Sequence, residues 1–223
     1  MGNLLTNYPI INDGIACTKR QPVEYENKSI YFGEWNTITD QRHGRGIQCW
    51  MDGSRYEGHW KNDRANIKGI LYHADGDVYE GEWLGDKAHG FGIYTHIDGA
   101  RYEGHWFEDK QDGKGNYNII ISFIFIGKES WPDGAIYEGE YKCGKKNGLG
   151  KFNWSDGSEY IGEFNDNYIH GKGLYKWIDK RIFDGEWKFN KMDGEGEFSW
   201  PDGRKYFGSY KEDKKEGFGL FEW

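Results

Sequence analysis

The chain is poor in proline, cysteine and long apolar runs, and each shortage excludes a class of protein. Its 223 residues include four prolines and three cysteines. So few prolines exclude collagen-like and proline-rich disordered chains. Cys17, Cys49 and Cys143 lack the spacing of a metal site, and no secretory signal opens the chain, so we expect free thiols in a cytoplasmic protein. No apolar run reaches the ~18 residues that a membrane-spanning helix requires.

Basic charge is also lacking, since the formal net charge is −8 at pH 7. Nucleic-acid-binding proteins usually carry a basic patch, and attachment to anionic lipid by charge alone requires clustered lysine and arginine. The charge balance therefore argues against a nucleic-acid partner and against purely electrostatic membrane binding.

Glycine and aromatic residues are abundant instead. The chain contains 34 glycines, and aromatic residues make up 18% of it, although the whole hydrophobic class is only 36%. Because each ring carries a large apolar area, we expect the core to be built mainly of Trp, Tyr and Phe.

These residues recur in a unit of 23 residues, of which the third copy reads YEGEWLGDKAHGFGIYTHIDGAR. A unit begins with Tyr-x-Gly-x-aromatic, continues after a polar connection with Gly-x-Gly-x-aromatic, and usually ends in Asp-Gly. The units start at Tyr31, Tyr56, Tyr79, Tyr102, Tyr137, Tyr160, Phe183 and Tyr206.

Alternation of ring and glycine with period two predicts antiparallel strands, two in each unit, joined by tight turns. Residues i, i+2 and i+4 of a strand share one face, so Tyr79, Gly81 and Trp83 point to the same side. Glycine normally weakens a strand, but a ring can lie across the bare backbone that glycines leave. We therefore predict an all-β fold, a single-layer antiparallel sheet of about eight hairpins in which rings cover glycines.

The unit resembles the MORN (membrane occupation and recognition nexus) repeat, which is close to YxGxWxxGxxHGxGxxxxxDGxx, over residues 31–223. The resemblance implies an elongated sheet of successive hairpins. The chain departs from the pattern in three units, with two extra residues before His43, Ile67 in place of a glycine, and Lys180 in place of the turn glycine.

The fourth unit is interrupted by residues 116–127, which include the almost wholly apolar run 119–126. Removing the interruption restores the spacing of the repeat. Three interpretations remain open: a structural insertion that packs on the sheet, an apolar loop that binds a partner, and an artefact of the gene model such as a translated intron.

Residues 1–30 are predicted to form a tail. The opening MGNLLT matches the N-myristoylation pattern, with Gly2 as the acceptor. One acyl chain binds membranes only reversibly, and Cys17 is a candidate for a second acylation by palmitate. Residues 23–30 are expected to cover the first edge strand. The edge at 220–223 invites pairing, which predicts a homodimer through the C-terminal repeats.

The sequence offers no catalytic, cofactor or metal site, so we predict that the protein is not an enzyme. No Gly-x-Gly pair opens a helix after a strand, as a dinucleotide site requires. The seven histidines, among them His43, His59 and His105, are expected in turns or on the surface. The recurring glutamates are expected on a solvated face.

One row of rings is a candidate groove for a protein partner. The aromatic residue at the fifth position of each unit would lie in register with its counterparts, forming an apolar groove suited to a partner helix. The alternative is that these rings are consumed in covering glycines. The row consists of Trp35, Trp60, Trp83, Trp106, Tyr141, Phe164, Trp187 and Tyr210.

These features predict a non-enzymatic protein-interaction scaffold at a membrane or cytoskeletal structure. The family resemblance adds ciliary or flagellar assemblies and the cell cortex as settings. One alternative is a direct phospholipid-binding module, which the acidic balance disfavours. Another is the accessory repeat region of a lipid kinase-type enzyme, for which the array leaves no room in this chain.

Overall fold

A computed structural model describes residues 8–113 and 127–223. The chain divides into two units, Met1–Lys110 and Gln111–Trp223. The described residues form nineteen strands and no helix, so the predicted all-β array of antiparallel hairpins is confirmed. In this part of the chain there is also no helix that could cross a membrane.

In the first unit, β3 to β8 each pair antiparallel with the next strand along the chain, so that β9 closes the series. Two short strands of the tail, β1 and β2, pair with β3 and cover its outer edge. The strands are β1 Cys17–Lys19, β2 Val23–Glu24, β3 Ile30–Asn36, β4 Arg42–Cys49, β5 Arg55–Lys61, β6 Arg64–Tyr72, β7 Val78–Leu84, β8 Lys87–Thr95 and β9 Arg101–Phe107.

In the second unit, β11 to β19 follow the same meander. Gly127, the last residue of the predicted interruption, lies in β11 and pairs with Gly139 of β12. Residues 116–126 lie outside the described residues. The strands are β10 Lys110–Gln111, which spans the boundary between the units in sequence, and β11 Gly127–Ser130, β12 Ile136–Lys142, β13 Lys145–Asn153, β14 Glu159–Asn165, β15 Tyr168–Lys176, β16 Ile182–Lys188, β17 Lys191–Ser199, β18 Lys205–Lys211 and β19 Lys214–Glu222.

The glycines of a hairpin face each other across the two strands, under the tyrosine that opens the repeat. Gly81 pairs with Gly92, and a Cβ added to Gly92 would lie 2.7 Å from two ring carbons of Tyr79. The Tyr79 hydroxyl donates a hydrogen bond to the Glu82 carbonyl at 2.9 Å. The rings therefore cover the glycines, as predicted. The same hydroxyl bond is made by Tyr31, Tyr56, Tyr102, Tyr137 and Tyr160.

A bulge precedes the paired glycine on the second strand of each hairpin whose two strands the structure describes in full. Gly90 has a φ of 65°, and the following amide, that of Phe91, donates to the Glu82 carboxylate at 3.2 Å. This glutamate therefore caps the bulge, although it was expected only on a solvated face. In the second repeat Ile67 occupies the glycine position with a φ of 64°, which strains a β-branched residue.

In the second to eighth repeats the polar connection is a two-residue turn with positive φ at both positions, a type I′ signature that the sequence analysis did not anticipate. The first repeat has a longer connection, in which only Asp40 has a positive φ. In one of the two-residue turns Phe189 and Asn190 have φ values of 49° and 67°. The Asn190 side chain accepts a hydrogen bond from the Ile169 amide at 2.7 Å. The side chain of this turn is thus bonded to a strand of the preceding repeat. The expected Asp-Gly turns are present as well, with Gly99 at a φ of 94°.

Candidate functional site

The eight rings predicted to form a partner groove are buried, with exposed fractions between 2% and 9%. They alternate with the rings that open each repeat and meet them edge to face, as Trp83 does with Tyr79 at a centroid distance of 5.1 Å. We call the two kinds of ring together, those that open each repeat and those at its fifth position, the inner ring row. Its fifth-position members are the predicted Trp35, Trp60, Trp83, Trp106, Tyr141, Phe164, Trp187 and Tyr210. Because packing against glycines and neighbouring rings consumes their surface, these residues are core and can serve only as the floor of a groove.

Two of these rings do form such a floor in the second unit. Phe164 and Trp187 lie at the base of a cleft of about 430 Å³. Asn167 and Asn190 line the same cleft, and each is fixed by accepting a hydrogen bond from the amide of a neighbouring strand. The remaining lining residues are Lys146, Phe152, Trp154, Ile169 and Tyr175.

A second series of rings borders this cleft, and the sequence analysis did not identify it. The neighbouring rings have centroids 4.5 to 5.7 Å apart. Most of them are half-buried, Phe198 is buried, and Trp223 is 91% exposed. We call the series the outer ring ladder: Trp131, Phe152, Trp154, Tyr175, Trp177, Phe198, Trp200, Phe221 and Trp223. Its tryptophans recur every 23 residues, so the spacing alone could have revealed it.

Cations lie against several rings of the ladder. The Lys146 ammonium is 4.9 Å from the centroid of Trp131 and also pairs with Glu129 at 2.6 Å. The Lys215 ammonium lies 5.2 Å from the Trp200 ring. Such cation–π contacts hold a ring while leaving its other face open. The ladder is therefore an ordered surface whose rings keep part of their area exposed.

In the first unit, the repeat positions that correspond to the outer ring ladder carry different side chains. These positions lie beside the inner ring row of that unit. The Arg42 guanidinium lies 4.1 Å from the Trp60 ring centroid and donates to the Gln48 side chain at 3.0 Å. Farther along, the Ile97 amide, the Tyr94 hydroxyl and His96 lower the pKa of the Asp77 carboxyl. The outer positions of this unit are Gln48, Trp50, Leu71, His73, Tyr94 and His96. Here Arg42 holds Gln48, and Tyr94 and His96 hydrogen-bond Asp77, whereas the second unit has a longer series of aromatic rings.

The two acylation candidates differ in what the structure says of them. Gly2 lies outside the described residues. Cys17 lies in β1 with an exposed thiol, and desolvation together with the charges of Glu34 and Asp13 raises the pKa of this thiol. Less of it is therefore thiolate at neutral pH. Acylation at either position stays a prediction.

Within residues 8–113 and 127–223, no cluster of three or more His, Cys, Asp or Glu side chains could hold a metal ion.

The fold is that of a hairpin-repeat protein. The sequence model of one family, the MORN repeat, matches the chain eight times. The matched residues are 40–55, 56–78, 79–101, 102–117, 137–159, 160–180, 183–203 and 206–223. The chain belongs to the MORN-repeat family. No curated protein matches it.

Similar solved structures include the TCP domain of SAS-4 (dCPAP) of Drosophila melanogaster in complex with a proline-rich motif of Ana2 (dSTIL). It is 10% identical with a TM-score of 0.42, and the match covers 86% of this chain and 90% of that one. The TCP10 domain of Danio rerio CPAP is 12% identical with a TM-score of 0.31, covering 90% and 99% of the two chains. These similarities concern the fold alone.

Proposed function

We propose that the protein is a non-enzymatic protein-interaction scaffold that binds its partner along the cleft and outer ring ladder of the second unit. The observation that supports this proposal is the row of partly exposed rings in mutual contact beside a cleft floored by Phe164 and Trp187. Contiguous exposed apolar patches mark interaction sites on soluble proteins, and aromatic side chains supply much of the energy at such sites.

The partner that fits this surface is an amphipathic helix of another protein, laid with its apolar face on Trp154, Tyr175 and Trp177. Helices bind grooves in this way through side chains spaced along one face. Membership of the MORN-repeat family supports a setting at a cytoskeletal or membrane structure. Within that setting we propose a cilium, a flagellum or the cell cortex.

The test compares matched tryptophans of the two units in the full chain. Trp154→Ala with Trp177→Ala removes two rings of the ladder, while Trp50→Ala removes the half-buried tryptophan at the same repeat position of the first unit. Quantitative affinity capture from cell extract should recover a specific partner with the wild type and with Trp50→Ala, but not with the double variant. Recovery of no specific partner by the wild type, or equal recovery by all three, would overturn the proposal.

Membrane contact through Gly2 acylation is a separate part of this proposal, supported by the MGNLLT motif. Gly2→Ala should release a tagged chain from membranes, whereas the ladder variants should not. Flotation of the unacylated protein with phosphoinositide-containing vesicles tests the alternative of direct phospholipid binding, for which we expect no retention. Pairing of two chains through β19 stays a prediction, and sedimentation analysis would show it as a doubled mass.

A further inference from the structure

A segment of the tail lies across the first unit on the face opposite the inner ring row. We call residues 8–13 the strap. His59 Nε2 is 2.8 Å from the Pro9 carbonyl, and the Tyr8 ring meets the His59 ring edge to face at 5.3 Å. At the other end, the Asp13 carboxylate is 3.1 Å from His43 Nε2. The strap is thus held at both ends by side chains of the sheet.

The two histidines that hold the strap are each only 1% exposed, which corrects the expectation that they lie in turns or on the surface. The two ring nitrogens of His59 face the carbonyl oxygens of Lys68 at 3.2 Å and Pro9 at 2.8 Å. A carbonyl oxygen can only accept, so a proton on Nε2 is donated to Pro9 and a proton on Nδ1 is donated to Lys68. The strap therefore places an acceptor against a buried ring nitrogen of His59.

The site arises where the repeat departs from its own pattern. His59 occupies the position at which Glu82 of the next repeat caps the bulge. Ile67 replaces the bulge glycine in the same hairpin. This hairpin has therefore lost the internal cap seen in other repeats and presents a donor to a segment outside the sheet.

The chemistry of the strap is specific at both of its ends. Burial, followed by the charges of Glu57 and Glu80, raises the pKa of Tyr8, so the site takes a neutral phenol. Desolvation raises the pKa of Asp13, but hydrogen bonds from His43 and the Ile15 amide and the charges of His43 and Lys61 lower it overall. The site thus takes an ionised carboxylate. The Tyr8 ring also lines a cleft of about 220 Å³ that continues along Ile70, Phe91 and Ile93.

We propose that this face of the first unit is a peptide-binding site that the strap occupies in cis. Arg45 also contacts the strap, since its guanidinium donates to the Tyr8 carbonyl at 3.5 Å. A partner peptide with an aromatic residue and, five positions later, a carboxylate would compete with the strap for His43, Arg45, His59 and Lys61. This site is distinct from the cleft of the second unit, so it goes beyond the proposed function and can fail independently of it. The tether keeps the strap at an effective concentration near the millimolar range, which disfavours weak competitors.

The test uses full-length variants and a labelled peptide of residues 7–14, with a scrambled peptide as control. Tyr8→Ala with Asp13→Asn weakens the strap and leaves the sheet side of the site intact. His59→Glu installs the residue that other repeats carry at this position, which removes the donor to Pro9 while keeping a cap for the bulge. His105→Glu is the matched control, because His105 occupies the same position in the fourth repeat.

Two readouts are expected to move together. The peptide should bind the weakened-strap variant at least about tenfold more tightly than the wild type, and adding His59→Glu should reverse that gain. In the otherwise wild-type chain, His59→Glu should make residues 8–13 about tenfold more susceptible to limited proteolysis, and His105→Glu should leave that susceptibility unchanged. Rapid proteolysis of the strap in the folded wild type, or no peptide binding by the folded weakened-strap variant, would overturn the proposal.

Discussion

The two units share an inner ring row but differ in the row of side chains beside it. In the first unit the outer positions hold Gln48, Leu71 and Tyr94, whereas in the second they hold Phe152, Tyr175 and Phe198. Arg42 lies over Trp60 in the first unit and hydrogen-bonds Gln48, while the second unit has a series of rings in contact with one another. The inner row is thus tied to the fold, since it covers glycine in both units, and the outer row is free to carry function.

This comparison predicts that changes to the inner row will affect both units alike. Burial raises the pKa of Tyr31, Tyr56 and Tyr79 in the first unit and of Tyr160 in the second, and raises the pKa of Tyr210 to about 12. A tyrosine whose pKa is higher in the folded state than in the unfolded state contributes its full stabilisation below the unfolded-state pKa, near 10. This contribution is lost as the pH rises through the folded-state pKa.

We therefore expect stability to fall by several kcal/mol between about pH 10 and 12, because each such tyrosine contributes up to ~1.4 kcal/mol per pH unit. Denaturant unfolding and tyrosinate absorbance, followed together, measure this. Ionisation of the inner tyrosines near pH 10 without loss of structure would contradict the assignment.

A side chain at a covered glycine should also destabilise both units equally. Gly92→Val and Gly173→Val each place atoms against the ring of Tyr79 or Tyr160, so we expect a loss of about 3 kcal/mol or more for each. Gly157→Ala is the control, because its added Cβ meets no atom within 4 Å and the strain of its positive φ should cost only about 1 kcal/mol. Urea unfolding gives the values, and equal effects of all three substitutions would contradict the covering of glycine by rings.

The first unit contains a strained bulge that other hairpins lack. Ile67→Gly should stabilise the protein by about 1 kcal/mol, because a β-branched residue at a φ of 64° is replaced by one that adopts this conformation freely. Lys68→Gly, at the neighbouring position, should destabilise it instead. Thermal unfolding of the two variants distinguishes these outcomes, and a lower melting temperature for Ile67→Gly would show that its side chain packs better than its backbone suggests.

The smallest effect concerns the hydroxyl of the ring that opens each repeat. Tyr79→Phe removes the hydrogen bond to the Glu82 carbonyl and should cost about 1 kcal/mol. The seventh repeat lacks this hydroxyl. Phe183→Tyr should supply it as a donor to the Glu186 carbonyl and raise the free energy of unfolding by at most a similar amount. Urea midpoints measure both, and a loss on adding the hydroxyl would show that the two units pack differently at this position.

The sequence predicted the sheet because its local signals agree: ring and glycine alternate with period two, and Asp-Gly marks the turns. It did not distinguish the buried fifth-position rings from the half-exposed ladder, because hydrophobicity alone does not tell which ring covers a glycine. Nor did it predict the strap, since burial of His43 and His59 depends on contacts more than 20 residues apart in sequence. The type I′ turns were missed where a residue such as Phe189 adopts a positive φ without a glycine signal.

The most direct test of the scaffold replaces two residues of the outer ring ladder by their counterparts in the first unit. Tyr175→Leu with Trp177→His reproduces Leu71 and His73 of the second repeat and leaves the inner ring row unchanged. Affinity capture with this variant, at matched expression and stability, should lose the partner that the wild type recovers. Retention of that partner at wild-type levels would contradict the assignment of the outer ring ladder as the binding surface.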